Sequence, residues 1–196
     1  MPTELLYSWL LGYVFGSVPF GLVLTRLAGK GDVRDIGSGN IGATNVLRAG
    51  GKGLAAATLI LDCLKATAAI LLAGRLWPGT ESFAAAGALI GHLYPVWLRF
   101  KGGKGVATLL GVLIPLLPIA AAIYAAVWLG LLLTVRISSV AGIAAAVSAP
   151  VSAAILGATN FFPMLLGFAL LVIWKHRANL ARLKAGAEPR IGKGKA

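Results

Sequence analysis

The stretch Val106–Val135, VATLLGVLIPLLPIAAAIYAAVWLGLLLTV, decides how the chain is laid out. It carries no charge, and its apolar residues run on without the alternation of a half-buried strand, so it reads as helix. It is too long for one ordinary membrane pass and short for two, each of which would cover only roughly 22 Å at 1.5 Å per residue. Pro115 and Pro118 sit near its middle, where a turn would place them. Read as two passes, the stretch puts Arg136 and the C-terminal tail on the side of the glycine-rich loop before Val106.

The other apolar runs are Leu5–Ala28, Leu54–Ala73, Phe83–Leu98, Val140–Gly157 and Phe161–Trp174. With the N-terminus outside and the long run doubled, Arg26, Lys30, Arg34, Arg48, Lys52, Arg99, Lys101, Lys104 and Arg136 all fall inside. So do Lys175, Arg177, Arg182, Lys184, Arg190, Lys193 and Lys195 of the tail. Only Arg75 faces outward, and Lys65 lies within the second helix. A single pass would send Arg136 and the tail to the other side, against the positive-inside rule. The expectation is therefore an all-α integral membrane protein of about seven short transmembrane helices, N-terminus outside and C-terminus cytoplasmic. No basic residue precedes Leu5, which argues for a retained first helix over a cleaved signal. Trp77 and Trp174, near span ends, fit interfacial anchors.

Composition agrees. The chain is 58% hydrophobic and only 12% charged, where a soluble domain carries roughly 25% charged residues. Its formal charge of +12 would suggest nucleic acid in a soluble protein. Here the cations sit in short inter-helix loops, where orientation in the membrane explains them. The single cysteine, Cys63, lies in an apolar segment and reads as packing. The two histidines stand on different segments without an acidic cluster, so no metal site is expected. Residues 1–196 read as one domain.

Polar chemistry concentrates on the inner face. The loop Gly29–Gly53 contains GSGNIGATNVLRAGG, in which Asn40 can cap a short helix and Gly50 or Gly51 can end it. Ile41, Thr44, Asn45 and Arg48 then follow i, i+3, i+4, i+7, so three polar side chains share a face. Gly37, Ser38 and Arg48 would converge at an anion-binding helix start. Between Arg99 and Gly105, RFKGGKG offers the amides of Gly102 and Gly103 with Lys104 as a phosphate nest. It is not a Walker loop, because Gly105 stands where Ser or Thr would bind magnesium. After the last span come His176 and Asn179, neighbours on one face if the helix continues, and then Glu188. Within the membrane, Asp62 and Lys65 are i, i+3 and can pair with each other or serve the site. His92, just before Tyr94-Pro95, is either a satisfied packing histidine or a base.

The segments GSGNIGATNVLRAGG, GHLYPVWLRFKGGKGVAT and HRANLARLKAGAEPR, in this order, make the whole chain resemble the acyl-phosphate-dependent glycerol-3-phosphate acyltransferases of bacteria, the PlsY family. The resemblance implies acyl transfer from acyl phosphate to the 1-hydroxyl of sn-glycerol 3-phosphate, giving lysophosphatidic acid and phosphate. It implies no cofactor and neither acyl-CoA nor acyl carrier protein as donor. It also implies a site on the cytoplasmic face of the bacterial inner membrane. Ser38 and Arg48 match the family's essential serine and arginine, and Gly102, Gly103 and Lys104 its glycerol-phosphate loop. His176, Asn179 and Glu188 match the third motif, the glutamate in a supporting role.

The residue chemistry fits. Both reactants are anionic, and acyl phosphate already carries a good leaving group, so the protein need mainly align them and stabilise charge. Ser38, Arg48, Lys104, His176 and Asn179 are the expected catalytic set. Gly37, Asn40, Thr44, Asn45, Gly102 and Gly103 would line the substrates, and Asp62, Lys65, His92 and Glu188 would support the site. The expected partners are the two substrates and membrane lipid, not nucleic acid, and the chain is expected to act as a monomer. A Ser38 acyl-enzyme is the competing mechanism. An anion transporter is the competing class, although it would want a midplane site reached from both sides.

Overall fold

The computed structural model describes residues 2–192; Lys193 and Lys195, expected on the inner face, lie outside the described residues. Those residues are helical, with no strand among them. The chain forms two compact units, Met1–Leu116 and Leu117–Ala196.

The first unit holds α1 (Pro2–Gly16), α2 (Phe20–Leu27), α3 (Ala43–Gly50), α4 (Lys52–Leu76), α5 (Glu81–Leu93) and α6 (Val106–Leu116). The second holds α7 (Pro118–Thr134), α8 (Ser138–Ile155), α9 (Phe162–Lys175) and α10 (Arg177–Lys184). Among the described residues, three segments are apolar and long enough to cross a membrane: Pro2–Leu27, Lys52–Leu76 and Ser138–Ile155. α6, α7 and α9 are shorter apolar helices. The deciding stretch is indeed two helices, parted at Leu117 just before Pro118, whose ring sits at the first position of α7 where its missing N–H costs nothing.

Two expected spans are not continuous helices. Leu5–Ala28 is interrupted between Gly16 and Phe20, because Pro19 has no N–H to continue the ladder. Phe83–Leu98 is helical only to Leu93. Pro95 pushes Tyr94 out of helical geometry, and a 3₁₀ turn follows at Val96–Leu98.

The seam between α1 and α5 is made of small residues. On α1, a Cβ added at Gly12 would stand 2.1 Å from the Ala84 carbonyl oxygen, and one at Gly16 2.1 Å from that of Ala88. From the other side, a Cβ at Gly87 would meet the Trp9 carbonyl at 2.1 Å and one at Gly91 that of Tyr13 at 2.3 Å. Two four-residue glycine spacings therefore face each other and bring the α1 and α5 backbones together. Helices in lipid associate this way, since apolar bulk gains nothing by leaving hydrocarbon. Ala66, Ala69 and Ala73 of α4 are fully buried, while Ile60, Leu64 and Leu71 of the same helix point outward. In the second unit, Ala141, Ala145, Ala149 and Ala153 form the buried face of α8, packed against α7 and α9. Cys63 is buried as expected, its backbone pressed against Gly111 of α6, whose carbonyl accepts from the Thr67 hydroxyl at 2.8 Å.

Candidate active site

The loop between α2 and α3 is folded by one side chain. Asn45 donates to the carbonyls of Val33 at 2.7 Å and Ile36 at 2.8 Å, and its Oδ1 accepts the Ser38 amide at 3.0 Å. Val33, Ile41 and Val46 sink into a small core with Leu22 and Ala55, which fixes the loop's ends while Asn45 fixes its middle. Gly37 turns the chain at φ 58°, a left-handed conformation that glycine adopts freely. A Cβ there would meet Asn45 Oδ1 at 2.6 Å and Arg48 Cδ at 3.2 Å. Gly37, Ser38, Asn45 and Arg48 are thus brought together, with Ser38 and Arg48 exposed and Asn45 buried.

The expected helix start is displaced. α3 begins at Ala43, and Asn40 is not its cap; its side chain instead accepts the Gly42 amide at 2.8 Å in a tight turn of its own. Ile41 consequently lies outside the helix and inside the core, and Thr44 is half-buried. Gly51, at φ 86°, ends the helix as expected.

Asp32 organises the loop's basic residues. Its carboxylate accepts from Arg34 at 2.6 and 2.9 Å and from Arg26 at 2.7 Å. The Arg34 guanidinium, aided by its backbone amide and by Arg26 against the opposing effect of burial, holds that carboxyl well below the usual carboxylate range. Arg34 then shares a cavity of about 390 Å³ with Trp97, Leu98, Arg99 and Lys101. Leu98 also packs on the core beneath the first loop. The first loop and the second motif thus share a basic cavity.

The glycine loop corrects an expectation. The amides of Gly102 and Gly103 do not form an open nest: Gly102 donates to Leu93 O at 3.2 Å and Gly103 to His92 O at 3.0 Å. These are carbonyls at the end of α5, which have no intrahelical partner, and the loop caps them. The return is made by Arg99 and Phe100 at φ 51° and 61°, a strained geometry for side-chain-bearing residues. Gly102 and Gly103 are required for space. A Cβ at Gly102 would stand 2.1 Å from His92 O, and one at Gly103 2.1 Å from His92 Nε2. Lys104, half-buried, follows at once and precedes α6.

Asp62 and Lys65 pair with each other, the first of the two readings their spacing allows, at 2.7 Å with both side chains buried. Two partners of Lys65 escape a reading of spacing alone. Its ammonium also donates to Val18 O at 2.7 Å, a carbonyl at the break before α2 that also accepts the Phe20 amide at 3.2 Å, and lies 3.0 Å from His92 Nδ1. Trp97 Nε1 donates to the neighbouring Ser17 carbonyl at 2.9 Å, so both carbonyls of that break are used.

In the second unit the third motif forms its own cluster. The helix does not continue unbroken through it: His176 stands at the junction of α9 and α10, buried, with Nδ1 2.8 Å from Val172 O. Glu188 accepts from Asn179 at 2.5 Å, Ser139 at 2.8 Å and Arg182 at 2.7 Å. Burial pushes this carboxyl up, but those three hydrogen bonds outweigh it and hold the group below its ordinary value. Farther on, the Ile191 amide donates to Arg136 O at 2.7 Å and Arg136 Nε to Ile191 O at 3.1 Å. The tail is therefore strapped to the start of α8. Ser139 was not among the expected residues, because a serine beginning a helix reads as a cap.

Among the described residues, fold and sequence together define a helical integral membrane protein with basic, glycine-rich loops. The chain belongs to the glycerol-3-phosphate acyltransferase family, which matches residues 6–186. It is 56% identical over 192 residues to the glycerol-3-phosphate acyltransferase of Mesorhizobium japonicum, covering 98% of each chain. With that of Erythrobacter litoralis it shares 55% over 183 residues, 93% of each. Its fold matches crystal structures of PlsY (YgiH), described as an integral membrane glycerol 3-phosphate acyltransferase. For the glycerol 3-phosphate form the TM-score is 0.90 at 40% identity, covering 96% of both chains. For the lysophosphatidic acid form it is 0.87 at 39%, covering 96% of this chain and 95% of the other.

Proposed function

We propose that this protein transfers a fatty acyl group from acyl phosphate to the 1-hydroxyl of sn-glycerol 3-phosphate, giving lysophosphatidic acid and inorganic phosphate. The observation that carries the reading is likeness along nearly the whole chain to a protein solved in both its glycerol 3-phosphate and lysophosphatidic acid forms. These are acceptor and product of one acyl transfer. Residues 1–196 act as a single acyltransferase domain, a reading supported by one family running from residue 6 to 186. The chain crosses the bacterial inner membrane about seven times, N-terminus outside, with its basic loops and active site on the cytoplasmic side. It works as a monomer and needs no cofactor.

In this reading the glycerol hydroxyl attacks the acyl carbonyl carbon directly. The new C–O bond forms as the bond to phosphate breaks, inorganic phosphate leaves, and a substrate phosphate oxygen takes the hydroxyl proton. Ser38, Arg48, Lys104, His176 and Asn179 hold the phosphates and the developing oxyanion. Asn40 and Thr44 complete the lining beside Gly37. Asn45 acts through the loop, since its amide protons are given to Val33 and Ile36. With the amides of Gly102 and Gly103 committed to α5, those glycines serve by letting the loop dock, and Lys104 with the first turn of α6 meets the anion.

Mass spectrometry of enzyme quenched during turnover tests the direct route. An unmodified Ser38 is the expected result, and an acyl adduct there would replace direct transfer by a double displacement.

A further inference from the structure

Lys65 has three N–H donors, and three acceptors surround it: Val18 O, Asp62 Oδ1 and His92 Nδ1. The ammonium also lies 5.8 Å from the centre of the Phe20 ring. His92 Nδ1 lies 3.0 Å from that nitrogen, and with Lys65 as the ammonium paired to Asp62 it is Nδ1 that accepts, which places the ring proton on Nε2. The Asp62 carboxylate, 3.8 Å from Nδ1, is already engaged by Lys65 at 2.7 Å. The opposite edge of the same ring is the surface on which Gly103 rests, with no room for even a methyl group between them. The backbone of His92 holds the loop a second time, through the Gly103 amide.

We propose that His92 is a positioning residue. Its ring, oriented by Lys65 and Asp62, is the seat that sets the height of Gly103 and so the place where the next residue, Lys104, meets the phosphate of glycerol 3-phosphate. The inference rests on the reading of Lys104 as a phosphate-holding residue. It assigns the buried Asp62–Lys65–His92 network a task in acceptor binding that a merely packed ion pair would not have.

His92→Asn keeps a side-chain acceptor near the position of Nδ1 but removes the ring beneath Gly103. The KM for glycerol 3-phosphate is expected to rise about tenfold, as a displacement of a binding group by a fraction of an ångström would produce, while the KM for acyl phosphate stays unchanged. Gly103→Ala alone is expected to be at least as damaging. Combined with His92→Asn it should add little, because the methyl group then fills the space the ring has left. Nitrogen-15 spectra of histidine-labelled protein should show a neutral ring with its proton on Nε2. An unchanged acceptor KM in His92→Asn, an equal rise for both substrates, fully additive losses in the double variant, or a proton on Nδ1 would each overturn the proposal. Lys104→Ala separates the two levels. If it leaves the acceptor KM unaltered, the reading of Lys104 fails; if it raises that KM and His92→Asn does not, only the seat fails.

Discussion

Replacing Asn45 tests whether the first loop is a folded device or a flexible strand that substrates order. In Asn45→Ala three hydrogen bonds are lost: the Ser38 amide loses its acceptor, and the carbonyls of Val33 and Ile36 keep only the amides of Ile36 at 3.4 Å and Gly39 at 3.1 Å. Val33 is fully buried, so no water replaces the bond its carbonyl has lost, and only the long one from Ile36 remains. Ile36 is half-buried and Ser38 exposed, and both recover part of the loss by hydration. At about 0.5–1.5 kcal/mol for each hydrogen bond lost, the three together cost the loop about 2–4 kcal/mol. A loss of about 2 kcal/mol shifts a local folding equilibrium roughly thirtyfold. The Ser38 amide should therefore exchange with solvent roughly thirty times faster, and kcat/KM should fall with it. Asn45→Asp is the sharper variant. It has the same shape and still accepts from Ser38, yet it turns a carboxylate towards two carbonyls, and it should be no better than alanine. Wild-type turnover and wild-type Ser38 exchange in either variant would refute the reasoning. Turnover lost with Ser38 exchange unchanged would also refute it, and would make Asn45 a direct substrate contact.

Other expectations follow from the same contacts. Gly12→Leu or Gly87→Val forces a side chain into backbone across the α1–α5 seam and should cost about 3 kcal/mol or more, seen as a lower thermal midpoint in detergent; an unchanged midpoint would mean the seam is not close-packed. Lys65→Met leaves the Asp62 carboxylate buried without its counter-charge, a loss of about 3–5 kcal/mol, and Asp62→Leu in the same chain should restore much of it; a double variant less stable than Lys65→Met would contradict this. Because hydrogen bonding holds Glu188 below its ordinary value, its contribution to the tail strap is complete above the ordinary carboxyl range and is lost as pH falls through the lowered folded-state value. A spin label at Ala187 should stay immobilised at neutral pH and gain mobility in acid, whereas Glu188→Gln should abolish that pH dependence; a signal constant from neutral pH to strong acid in the unsubstituted protein would show that the carboxylate does not hold the tail.

Long apolar runs and the distribution of basic residues were enough to read an all-helical membrane protein and the division of Val106–Val135. They could not show the interruptions at Pro19 and Pro95, because hydropathy averaged over a span passes over a single proline. Nor did they reveal that α1 and α5 meet through Gly12, Gly16, Gly87 and Gly91. Glycine and alanine barely register on a hydropathy scale, yet in lipid they decide which faces touch. In the site, i, i+3 spacing identified Asp62 with Lys65, but His92, 27 residues further on another helix, and the Val18 carbonyl depend on tertiary placement. The spacing of Thr44, Asn45 and Arg48 gave a shared face without saying that Asn45 turns into the loop while Arg48 stays exposed. The glycines of GGKG were read as openness to a ligand. Their true neighbour is the end of α5, a contact that no local pattern encodes.

The central claim is tested most directly by giving the purified protein glycerol 3-phosphate with palmitoyl phosphate, palmitoyl-CoA or palmitoyl-acyl carrier protein, and following phosphate release and lysophosphatidic acid. Product with palmitoyl phosphate alone is the predicted result. Product from either thioester would contradict the assigned donor, and no product from any of the three in a folded sample would contradict the assignment of acyl transfer itself.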